Sequence, residues 1–124
     1  MEKINSLFPG QLVFTFDFEE MSLVFMDLRI PIDRQNRRLE VDKYVKPTNA
    51  VLYLNFRSGH SPHVFPAIVN SQALTAFNIC SKPEWREIHF ENLRNNFLQQ
   101  NYPKDLIQAQ FEKVLKLNRS DLIF

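Results

Sequence analysis

A change of hydrophobic period partway along the chain constrains its fold more than any other feature. From Gln11 to Lys46 apolar residues alternate with polar ones, and beyond about Phe65 they recur at helical spacing. A period of two belongs to strands with one covered face, and a period of 3.6 to helices with an apolar stripe. The expectation is therefore an α+β fold, with a short three-stranded antiparallel meander first and a three-helix cluster second.

The strands read as follows. Leu12, Phe14, Phe16 and Phe18 share a face opposite Val13, Thr15 and Asp17, and the run ends at a polar turn, Glu19-Glu20. A second strand places Val24, Met26, Leu28 and Ile30 opposite Leu23, Phe25, Asp27 and Arg29, until Pro31 and the polar residues from Asp33 to Asn36 break it. The third carries Leu39, Val41, Lys43 and Val45 on its apolar face, with Arg38, Glu40, Asp42 and Tyr44 on the other. Three strands joined by short turns need a partner layer over their apolar face.

Residues 47–63 show no clean period and contain Pro47, Gly59 and Pro62, so they read as an irregular connector with a short helical turn near Asn49 to Tyr53. A helix from Phe65 to Cys80 then accounts for Ile68, Ala73, Leu74, Phe77 and Ile79, with Pro66 tolerable only in its first turn. Ser81-Lys82-Pro83-Glu84 has the pattern of a capping box, followed by a stripe of Trp85, Ile88, Leu93 and Phe97. Asn101 is suited to a left-handed cap, and Pro103 starts a third helix bearing Leu106, Ile107, Phe111, Val114 and Leu115. The last two helices make a hairpin of helix-turn-helix type. Residues 1–46 are thus a β-meander and 47–124 a connector with its helices, together one compact unit.

Composition narrows the function. With 124 residues, 44% apolar and twelve phenylalanines, the chain can bury one real core. Fifteen basic against fourteen acidic side chains give a net charge of +1, so any basic surface must be local. The lone cysteine, Cys80, excludes an internal disulfide, and there is neither a signal-peptide pattern nor an apolar run long enough to span a bilayer. An intracellular protein is expected, with nucleus and cytoplasm equally open and no membrane association.

Few residues suggest catalysis. Asp17 and Asp27, on neighbouring strands, are the acids placed to converge for two-metal chemistry, and a solvated sheet face explains both at least as well. His60 and His63 have chelating spacing, with Cys80 or His89 as further donors, but no second Cys/His pair accompanies them, so no metal or other cofactor is expected. Cys80 on an apolar stripe reads as inert core rather than a nucleophile. Binding residues are easier to find. Arg34, Arg37 and Arg38 cluster on one turn, while Lys46, Thr48, Arg57, His60 and His63 straddle the connector with Tyr44, Tyr53 and Phe56 between them. Such groups suit phosphates and bases, and an ordinary solvated turn over core aromatics suits them equally.

One ordered run goes further: Tyr44-Val45-Lys46-Pro47-Thr48, Tyr53-Leu54-Asn55-Phe56, Ser58-Gly59-His60-Ser61-Pro62-His63, Ser71-Gln72-Ala73-Leu74, Ile79-Cys80-Ser81 and Asn101-Tyr102-Pro103. In order and spacing it resembles the region after the catalytic core of Penelope-like reverse transcriptases. The resemblance implies the end of the palm, a primer-grip hairpin and a thumb-like helical cluster that holds an RNA/DNA or DNA duplex by shape and backbone. It implies nucleic-acid contacts by Lys46, Thr48, Arg57, His60, His63 and Gln72, and a primer-grip role for Phe25 and Asp27, since Phe25-Met26-Asp27-Leu28 matches a Phe-Leu-Asp-Val strand of that family. The family's catalytic Asp-Asp pair has no counterpart here, so the chain is expected to lack polymerase activity of its own, with an upstream palm segment or another protein as a possible partner. Where that family carries basic residues around Phe65 to Asn78, this chain is neutral, which implies weak duplex binding. The alternative is an interaction module derived from a retroelement that no longer touches nucleic acid.

Overall fold

The computed structural model describes residues 2–15, 18, 20–50 and 52–122. After a single helical turn, α1 (Glu2–Asn5), the chain forms β1 (Ser22–Phe25), β2 (Leu28–Asp33), β3 (Arg38–Leu39) and β4 (Asp42–Lys43). The helices α2 (Val64–Ile79), α3 (Pro83–Gln99), α4 (Lys104–Leu115) and the short α5 (Arg119–Leu122) follow. The α+β expectation holds, with an antiparallel sheet first and a helical cluster second.

The sheet differs in detail from its reading in the sequence. The expected first strand is absent over Leu12–Thr15, which form exposed coil, while Phe16, Asp17 and Glu19 lie outside the described residues. The expected second strand is instead a hairpin. β1 pairs with β2 from Ser22↔Pro31 to Phe25↔Leu28, and Met26-Asp27 make the two-residue turn. Met26 takes φ 56°, the conformation for which such turns normally choose glycine or asparagine, which is why the turn was not apparent from residue type.

β2 is the central strand, with β1 on one side and both β3 and β4 on the other. Ile32↔Leu39 and Leu28↔Lys43 share one register, so β3 and β4 are one strand interrupted opposite Pro31. Glu40 donates its N–H to the Pro31 carbonyl at 3.1 Å, and proline has no N–H to return the bond.

The core belongs to the helices. Phe65, Val69, Ala73, Ala76 and Phe77 of α2, Phe90, Leu93 and Phe97 of α3, and Ile107, Phe111 and Val114 of α4 close around Tyr102. The helices lie where the periodicity puts them, but their stripes are rotated slightly. Phe90 rather than Ile88 faces inward, and Leu115 is exposed. Trp85 is half-buried, with Arg29 and Lys82 over its ring, because that side of α3 faces the sheet.

The α3–α4 corner is a Schellman motif. Tyr102 N–H donates to the Phe97 carbonyl and Asn101 N–H to that of Leu98, with Asn101 at φ 67°. The expected left-handed cap is therefore present. Tyr102 also donates its hydroxyl to the Leu54 carbonyl at 2.6 Å, and Phe56 N–H donates to the Gln100 carbonyl, which pins the connector to the corner.

Candidate nucleic-acid interface and the junction behind it

The connector is a series of turns rather than a helical turn and loop; Val51 lies outside the described residues. Asn49 N–H bonds Lys46 O, Ser58 N–H bonds Asn55 O, and Val64 N–H bonds Ser61 O. These closures place Thr48, Arg57 and His63 at the third position of successive turns, where side chains project from the surface. Lys46, Thr48, Arg57, His60 and His63 are all exposed. The Asn55 side chain caps the Arg57 turn, while His60 bonds the Ser58 hydroxyl and His63 that of Ser61, each at 3.0 Å. The two histidines are thus committed to neighbouring serines rather than to each other.

Gln72 is half-buried on α2. It lines a cavity of about 400 Å³ that also takes in Lys43, Tyr44, Asn49, Tyr53 and Thr75. Among the described residues no hydrogen bond or ion pair links Lys46 and Thr48 to Arg57, His60 and His63, so the candidate residues form a line along the surface rather than one pocket. Phe25 lies on a strand as expected, ending β1 with its side chain exposed, whereas Asp27 is in the hairpin turn rather than on the strand, its carbonyl accepting Tyr44 N–H at 2.8 Å. In the arginine turn Arg38 sits between Asp33 at 3.7 Å and Glu40 at 2.6 Å, and Arg34 donates to the Glu20 carbonyl.

Lys43 was assigned to an apolar face in the sequence. It lines both the 400 Å³ cavity and a neighbouring one of about 240 Å³, and burial lowers its pKa.

Behind this surface lies a junction that the sequence did not disclose. Asp42, 6% exposed, accepts from Arg29 Nη2 at 2.7 Å through Oδ2; its Oδ1 lies 2.8 Å from His89 Nε2 and accepts from Cys80 Sγ at 3.5 Å. Burial alone would raise the Asp42 pKa, but the hydrogen bonds from Arg29 and His89 outweigh it and hold the carboxyl below its ordinary range. Burial and the adjacent carboxylate push the Cys80 thiol up, so it rests protonated and is no nucleophile by itself.

Ser81 completes the junction. Its N–H donates to the Val41 carbonyl at 2.8 Å, and its hydroxyl accepts from Val41 N–H and donates to Glu40 Oε2. The expected capping box is therefore not formed. Lys82 occupies the N-cap without a side-chain bond, because the serine hydroxyl satisfies the open edge of the sheet instead. The face assignment of this strand is reversed as well: Glu40 and Asp42 are buried against the helices, while Leu39 is 66% exposed.

A family model described as the animal helix-turn-helix domain matches residues 52–112, just under half of the chain. That span runs from the connector through α2 and α3 into α4. No curated protein and no solved structure matches the chain. At the coarse level the match supports nucleic-acid binding by this region. Among the described residues no helix is long and apolar enough to cross a membrane.

Proposed function

We propose that this chain is the duplex-gripping part of a Penelope-like reverse transcriptase, holding a template–primer duplex by shape and backbone contact while carrying no catalytic centre itself. The observation that carries the reading is how the cations are distributed. On α3, Arg86 donates to the Cys80 carbonyl and stacks on Phe77, and Arg94 bonds Glu91 and Gln108 over Phe111. On α4 the cations are lysines, Lys104 and Lys113, with no arginine among them. Neither helix offers the free arginines that read base edges in a major groove.

Lys46 and Arg57 are exposed on turns of the connector, which is pinned to the aromatic corner at Leu54 and Phe56, an arrangement suited to phosphate contacts. Gln72, Thr75 and Asn49 add neutral hydrogen-bonding groups to the 400 Å³ cavity, beside Lys43 and Asp27.

Fluorescence anisotropy with an RNA/DNA hybrid and with duplexes of unrelated sequence tests this. Micromolar binding that weakens with salt and ignores sequence is expected. Strong preference for one sequence would instead support a major-groove reader. Primer extension with Mg²⁺ and nucleotides is expected to be nil; measurable extension would refute the non-catalytic assignment.

One observation favours the second reading, a protein-docking module. Phe25, Ile32 and Leu39 share one face of the sheet by register, and all are exposed. Salt-independent or absent duplex binding would favour that role.

A further inference from the structure

We propose that Asp42, Cys80 and His89 bind a borderline-soft transition-metal dication, with Zn²⁺ the best chemical match. Their donor atoms all lie within 4.8 Å of one another. They come from three elements: β4, the residue that closes α2, and the middle of α3. The sheet and helices are already held together there by Ser81 and Val41, so the donors are presented on a fixed frame.

The donor chemistry is selective. One thiolate, one imidazole and one carboxylate suit zinc or cobalt, whereas calcium and magnesium take oxygen ligands. Tetrahedral zinc bonds of about 2.0–2.3 Å to such atoms need donors about 3.3–3.6 Å apart. The existing 2.8 Å and 3.5 Å separations need only small side-chain movements to reach that. Three protein ligands leave a fourth position for water, and His89 lines the 240 Å³ cavity from which water can enter.

The surroundings support the ligands. Arg29 holds Asp42 through the oxygen that would not face the metal, and the Lys43 backbone N–H is directed at the Cys80 sulfur. On binding, the S–H bond of Cys80 breaks, a sulfur–metal bond forms and the proton passes to solvent. His89 ligates through Nε2 with its remaining proton on Nδ1. Aspartate and thiolate together balance the two positive charges, and no electrons are transferred. The ion would clamp the meander to the helices.

The test uses the full chain, stripped of metal and kept reduced with a phosphine, and Co²⁺ as the probe. Expected are one equivalent bound, a thiolate-to-cobalt charge-transfer band with the visible bands of a four-coordinate site, displacement by Zn²⁺, and no competition from Mg²⁺. Cys80→Ser should abolish the charge-transfer band, and His89→Gln should weaken binding by about tenfold or more. A His60→Ala/His63→Ala variant should bind Co²⁺ with the parent's stoichiometry and spectrum. His89 is the most exposed of the three, so His89→Gln, checked for folding by circular dichroism, keeps the test decisive if Cys80→Ser does not fold. Absence of the band in the parent, its survival in Cys80→Ser, unchanged affinity in His89→Gln, or loss of binding in the His60/His63 variant would each overturn the proposal.

Discussion

The two halves of this molecule bury opposite kinds of side chain. The helical half closes around aromatic and aliphatic groups, with Phe97 stacked on Tyr53 at 4.6 Å and Phe90 on Phe111 at 5.1 Å. In the sheet, the buried side chains among the described residues are Glu40 and Asp42. The helices are therefore held by non-directional burial, and the sheet is held to them by directed polar bonds that fail if one partner is removed. The difference implies a stable platform carrying a more easily released meander, the low-stability region of the fold.

The largest expected effect is on the platform. Phe97→Ala removes a ring with no exposed surface at the centre of the α3–α4 corner and should cost about 3–5 kcal/mol in chemical denaturation. A loss below ~1 kcal/mol would mean that the corner does not hold the fold.

Next is the junction. Asp42→Ala strands Arg29 and His89 and should cost about 1–3 kcal/mol. Hydrogen exchange should show the loss confined to β1–β4, with α2–α4 still protected. Uniform loss of protection would show that the two halves unfold as one.

Acid should act on the same junction. Because the folded-state pKa of Asp42 is depressed, its contribution is full above the unfolded value of about 3.9 and disappears as pH falls through the folded value. Denaturation curves of the parent should weaken over that acid window, and those of Asp42→Asn should weaken less. Equal slopes in the two proteins would remove Asp42 from the account.

The smallest effect belongs to the hairpin. A non-glycine residue in left-handed geometry costs about 1–2 kcal/mol, partly offset by glycine's greater freedom when unfolded. Met26→Gly should therefore raise meander stability by about 0.5–1 kcal/mol, read from the same exchange experiment; a decrease would contradict the turn.

These contrasts also explain what the sequence disclosed. Helix α2 lies within one residue of its expected limits, and Asn101 caps α3 as expected, because periodicity and cap chemistry are local. The reversed strand face was not legible: alternation shows that two faces differ, not which one meets the helices, and here polar complementarity decides. Nor was the junction, since Asp42 lies 38 positions from Cys80 and 47 from His89, with no period relating them. Ser81 carried a correct-looking helix signal, but its hydroxyl serves the sheet edge. Of the candidate binding residues, those on the connector sat in a segment legible as irregular from Pro47, Gly59 and Pro62, while Lys43 was hidden by its position in an apolar alternation.

The central claim is that the connector turns hold phosphates. Its most direct test is the salt dependence of hybrid-duplex binding by the parent and by a Lys46→Gln/Arg57→Gln variant. The account predicts that the variant binds more weakly and that its log–log salt slope is shallower by about one unit for each cation removed. An unchanged slope, with binding intact, would contradict it.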